Sequence, residues 1–147
     1  MNKVPQVTIY AKQAGVSITP FEKRSEGRAT EGRIALRFFK LESGSTPLRF
    51  VVEPAEAFEL SGKMRKVARD GGKESLSHRF EGRDGEVQTR LTVERWERGG
   101  KSGCALTVQR GEEELNVPAS AERFLHAAEF LHHLSLQQAW VEEPDKA

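Results

Sequence analysis

The chain has 147 residues, a net charge of +1, and 31% charged against 37% hydrophobic residues, the proportions of one soluble domain with a real core. No run of about 18 apolar residues is present, so no membrane-spanning helix is expected. The first residues lack the apolar stretch of a signal peptide, and the single cysteine, Cys104, cannot form an internal disulfide, which points to a reducing, cytoplasmic setting.

The charge is unevenly spread. Residues 1–110 hold 21 Lys/Arg and 14 Asp/Glu, a net +7, whereas residues 111–147 hold 2 and 8, a net −6. A basic body with an acidic end suits an anionic ligand held by the body, with the tail directed elsewhere. Only two asparagines against many Glu and Arg is the bias of a thermophile or of a GC-rich genome.

In chain order, residues 4–10 read as a short strand, with Val7 and Ile9 on one parity. Residues 11–32 are polar and carry Gly15, Pro20, Gly27 and Gly32, with Arg24 and Arg28 beside Glu22, Glu26 and Glu31. They read as a mobile arm or long loop. Residues 33–41 form a strand that buries Ile34, Leu36 and Phe38 and turns Arg33, Arg37 and Phe39 to the other side. After a turn over 43–47, Leu48, Phe50 and Val52 resume the buried parity with Arg49 opposite, which completes a hairpin.

Pro54 opens a helix, since a proline at the first position loses no hydrogen bond. Glu53, Glu56 and Glu59 lie near the positive end of its dipole and Lys63, Arg65, Lys66 and Arg69 near the negative end. Phe58, Leu60, Met64, Val67 and Ala68 are its apolar positions, and Gly71-Gly72 stops it. Gly62 is read as allowing close packing on the sheet. Residues 76–81 read as a short strand, with His78 and Phe80 on one parity and Arg79 on the other, and residues 82–85 as a turn.

Residues 87–117 organise the chain. Three alternating runs are split by Gly99-Gly100 and Gly111, which can supply the positive φ of reversals. Val87, Thr89, Leu91 and Val93, then Cys104, Leu106 and Val108, then Leu115 and Val117 share a buried face. The opposite face carries Arg90, Thr92, Glu94 and Trp96, with Arg98 and Lys101 at the turn. A ring among cations can stack on a base while the cations take phosphate; the bland alternative is a tryptophan capping the core edge among solvated charges.

A last helix runs from Ser120, a good N-cap, to about Gln138. Its apolar arc of Phe124, Ala127, Ala128, Phe130, Leu131 and Leu134, widened by Leu125, Leu136 and Trp140, exceeds the stripe a surface helix needs. Self-association as a dimer or tetramer is expected there, through Leu125, Leu131, Leu136 and Trp140. His126 and His133 sit on the polar face and lack the further ligands a metal needs.

Catalytic motifs are missing. Arg98-Gly-Gly-Lys-Ser-Gly103 lacks the leading glycine of a phosphate loop and lies in a hairpin, and Cys104 has no base beside it. No enzyme, cofactor or metal is expected.

The whole resembles the ThermoDBP-related single-stranded DNA-binding proteins of thermophilic archaea. The resemblance rests on Leu91-Thr-Val-Glu-Arg-Trp-Glu-Arg-Gly-Gly-Lys-Ser-Gly103, Leu115-Asn-Val-Pro118 and Glu122-Arg-Phe-Leu-His-Ala-Ala-Glu-Phe-Leu131, and on the order hairpin, helix, meander, helix over about residues 30–140. It implies an α+β fold in which an antiparallel sheet is backed by helices in place of an OB barrel. It also implies a single-strand cleft with basic and hydrophobic walls, and oligomers. The chain departs from that family in ending soon after Trp140.

The organisation expected is an N-terminal strand and mobile arm over 1–32, one α+β nucleic-acid-binding domain over 33–140, and an acidic tail over 141–147. The function expected is sequence-tolerant binding of single-stranded DNA in a nucleoid-associated, cytoplasmic protein. Arg33, Arg37, Phe39, Arg49, Arg79, Phe80, Arg90, Trp96, Arg98 and Lys101 are the candidate contacts. RNA binding, or a scaffold docking an acidic partner protein through the basic face, is the alternative.

Overall fold

The computed structural model describes residues 3–42, 44–82 and 85–143. The expected turn position 43, the turn positions 83–84 and the end of the acidic tail, 144–147, lie outside them. The chain is built as two successive units of four strands and a helix. The first holds β1 (Val7–Tyr10), β2 (Ala14–Ser25), β3 (Arg28–Lys40), β4 (Leu48–Val52) and α1 (Pro54–Asp70). The second holds β5 (Gly72–Gly82), β6 (Gly85–Arg98), β7 (Lys101–Arg110), β8 (Glu113–Ala119) and α2 (Ala121–Gln137).

Each unit folds its strands into an antiparallel sheet in sequence order, β1-β2-β3-β4 and β5-β6-β7-β8. Neither sheet closes into a barrel among the described residues, so the class is α+β, as expected. The expected hairpin and meander prove to be parts of two separate four-stranded sheets. The inner faces and both helices share one core. Val16, Ile18, Leu36, Phe38 and Phe50 come from the first sheet and Leu91, Val93, Leu106 and Val117 from the second. Leu60, Met64, Phe124, Leu131 and Leu134 come from the helices. Each such burial contributes about 1.5–3 kcal/mol before the entropy of ordering is subtracted.

The helix ends follow local chemistry. The Glu56 carboxylate accepts from the Glu53 amide at 3.1 Å, which satisfies an N–H that the first turn leaves without an intrahelical partner. Gly71, at φ 83°, ends α1. Ser120 caps α2 by accepting from the Arg123 amide at 3.2 Å. Buried Ser61 donates to the Ala128 carbonyl at 2.8 Å and ties α1 to α2.

Several expectations are corrected here. Residues 14–25 and 28–32 belong to β2 and β3, a long hairpin turning at Glu26-Gly27 with positive φ; they are not an arm. Pro20 sits where β2 has run past β1, whose pairing ends at Val7↔Ile18, so that side of β2 has no ladder for the missing N–H to interrupt. The chain after α2 crosses the same hairpin. Gln138 donates to the carbonyls of Phe21 at 2.7 Å and Arg33 at 3.1 Å, the Gly32 amide donates to Trp140 O at 3.0 Å, and Arg28 pairs with Glu142 at 2.8 Å. The start of the acidic tail is therefore tied to the body and not directed away from it. Gly62 faces solvent with nothing near its missing side chain, and Phe58 is exposed, so neither packs on the sheet. Leu131 is fully buried within its own chain and cannot serve an interface, whereas Leu125, Leu136 and Trp140 are exposed.

Candidate nucleic-acid interface

Pairing register builds a face on the first sheet. The rung Tyr10–Gly15–Phe39 is followed by Thr8–Ser17–Arg37–Arg49 and then by Thr19–Ala35–Val51. These residues have the parity opposite to the core, so they share the outer side. The floor is small, because Gly15, Ser17, Thr19 and Ala35 lie beneath larger neighbours. A Cβ at Gly15 would come within 2.6 Å of the Phe39 ring, so that ring rests directly on the backbone.

Around this floor lies a depression of about 250 Å³. Tyr10 and Phe39 meet edge to face at one end, with ring centroids 6.0 Å apart. Phe21 stands at the other end. The Arg37 guanidinium lies 5.4 Å from the Phe39 centroid and that of Arg49 lies 5.4 Å from the Phe21 centroid. Among the described residues no carboxylate lines the depression, and neither guanidinium has an acidic partner. Tyr10 is 65% and Phe21 38% exposed, so aromatic surface stays open to a ligand. Exposed rings beside unneutralised guanidiniums can take flat, electron-rich groups and anions together.

The expected residues do not all meet here. Arg37, Phe39 and Arg49 come together as expected. Arg33 is drawn off by Glu31 at 2.6 Å and by the Gly32 carbonyl at 2.9 Å; its hydrogen bond holds the Glu31 carboxyl below its ordinary range. Trp96, Arg90, Arg98 and Lys101 lie on the outer side of the second sheet. There the Trp96 ring rests on Gly103, where a Cβ would lie 2.6 Å from it, and its N–H donates to the Cys104 carbonyl at 3.1 Å. Glu94 and Glu114 share that face by register. Arg79 is exposed and pairs with Glu86 at 3.6 Å. Phe80 has the inner parity and points to the side opposite Arg79. Cys104 is buried, which pushes its thiol pKa up.

Tyr10, Phe21 and Gln138 were missed. Tyr10 ends the first strand at its outward parity, and Phe21 continues Ser17 and Thr19 at period two; that alternation was the available signal. Gln138 carried none, because its partners lie more than a hundred residues away.

A chain that folds its two sheets and two helices in this order is similar to two plant proteins of known structure. The crystal structure of WHY1 from Arabidopsis thaliana matches over 95% of this chain and 87% of that one, at a TM-score of 0.60 and 16% identity. The structure of the plant transcriptional regulator PBF-2 matches over 94% of this chain and 84% of that one, at a TM-score of 0.59 and 18% identity. At such identities the likeness is one of fold. No protein-family model and no curated protein matches the sequence. Neither structural neighbour is a ThermoDBP-related protein, and the archaeal, thermophilic source that resemblance implied gains nothing from them.

Proposed function

We propose that this protein binds single-stranded DNA with little sequence preference and covers exposed single strands. Bases lie against the rings and guanidiniums of the first sheet's outer face, and Arg37 and Arg49 take phosphates. One observation carries the reading: among the described residues, three aromatic rings and two guanidiniums without acidic partners surround a depression floored by small residues and lined by no carboxylate. Stacking on a ring contributes about 1–3 kcal/mol per base and tolerates any base. It requires bases whose faces are uncovered, which favours an unpaired strand over a duplex. A fold shared with a plant transcriptional regulator supports a role at nucleic acid.

Trp96 with Arg90, Arg98 and Lys101 forms a lesser platform on the second sheet. Self-association uses exposed Leu125, Leu136 and Trp140 on and after α2, next to the apolar groove that Phe58 and Trp140 line. The ThermoDBP-related resemblance is retained as part of this proposal.

The test is titration of matched dT and rU oligomers, with duplex controls, at about 50 and about 300 mM salt. The expected outcome is micromolar or tighter binding of dT that weakens as salt rises. Tighter binding of rU would move the reading to RNA, since stacking does not report the 2′-hydroxyl. Absence of single-strand affinity at low salt would leave the acidic-partner scaffold.

A further inference from the structure

Arg49 lines a second cavity, on the far side of β4. This crevice, also about 250 Å³, opens between the edge strand of the first sheet and the inner-parity residues His78, Phe80, Thr89 and Arg110 of the second. Arg110 holds it together. Its Nη2 donates to the Arg49 carbonyl at 2.9 Å, its Nε donates to Thr89 Oγ1 at 3.0 Å, and its guanidinium lies 5.7 Å from the centroid of Phe80. Phe80 is 47% exposed. His78 is stacked on Phe50 at 4.4 Å and braced by Glu56 at 2.6 Å. Like the depression, the crevice has no carboxylate among the described residues that line it.

We infer that this crevice is a second nucleobase subsite for the same strand, reached by crossing β4. One base packs on Phe80 beside the Arg110 guanidinium, and the phosphate joining it to the base in the depression sits at Arg49. The inference rests on the binding reading given above. Three observations favour a nucleobase. The crevice repeats the chemistry of the depression, an open ring paired with a guanidinium and no carboxylate among the described lining residues. The two cavities share one wall, so a continuous ligand passes from one to the other. Arg110 is already held by two hydrogen bonds, so little side-chain freedom is lost when a base settles against it.

The experiment is a length series of dT oligomers titrated against the intact protein and its Phe39→Ala and Phe80→Ala variants, with thermal melts to show that each folds. Phe39→Ala should weaken binding at every length. Phe80→Ala should leave the shortest bound oligomers unaffected and weaken longer ones by about 5- to 150-fold, the loss of one stacked base. If Phe80→Ala matches the wild type at every length while Phe39→Ala loses affinity, the crevice is no subsite and the face reading survives. If both variants bind as the wild type does, the reading of the first face falls with it.

Discussion

The outer faces of the two sheets follow one plan and differ in charge. On each, an aromatic ring rests on a cross-strand glycine, Phe39 on Gly15 and Trp96 on Gly103. That pairing fills the space a missing side chain leaves, and it stabilises a sheet whether or not a ligand ever arrives. Trp96 shows the structural side of the device, since its N–H is already bonded to the Cys104 carbonyl. Around Phe39 the neighbours are Arg37, Arg49, Tyr10 and Phe21, with no acid among the described residues that line the depression; Trp96 has Glu94 two residues away on the same face. A ring on a sheet marks a packing position, and the charge around it decides whether an anionic polymer can use it.

The faces also differ in what holds them. The β2–β3 hairpin is crossed by the chain that leaves α2, and a Cβ at Gly32 would lie 2.0 Å from the Gln138 carbonyl oxygen. Gly32→Val should therefore give the largest effect, a loss of about 3 kcal/mol from forced separation of backbone, read as a fall of roughly 10 °C in melting temperature. An unchanged melt would mean that the crossing does not brace the first sheet. Next in size is the contrast between rings. Phe39→Ala should weaken dT binding by about 1–3 kcal/mol and Trp96→Ala by clearly less; equal losses would erase the distinction between the faces.

Charge gives a smaller signal. Arg37→Ala should flatten the slope of log affinity against log salt by about 0.7, the share of one single-strand phosphate, while Arg79→Ala, whose cation is paired with Glu86, should leave the slope nearly as it was. A slope equally altered by both would deny Arg37 its special place. The smallest effect is expected at Gly62, exposed in α1 with open space around it. Gly62→Ala should stabilise the fold by about 0.5–1 kcal/mol and leave binding untouched; a loss of stability would reveal a contact at that position.

Much of the fold was legible wherever neighbours in sequence decide it. Alternation placed Leu91, Val93, Cys104, Leu106, Val108 and Val117 on the buried face, and all are buried. Pro54 and Ser120 marked the helix starts, where local hydrogen-bond supply sets the boundary. Parity likewise put Arg37, Phe39 and Arg49 on one side of the first sheet.

What local pattern could not carry was the reason for each apparent breaker. Gly15 lies under Phe39, Gly32 lies under Gln138, and Pro20 stands beyond the end of β1; each is tolerated or required because of a partner far along the chain. Reading them one by one turned a twelve-residue strand into a loop and hid Phe21. The division into two sheets, the reach of Arg110 to the Arg49 carbonyl across the gap at β4, and the burial of Leu131 have the same origin. Side-chain direction within a strand or helix is set by the backbone repeat, so composition and spacing reveal it. Which surfaces then meet is set by packing and close backbone approach between distant segments, and only the folded chain decides that.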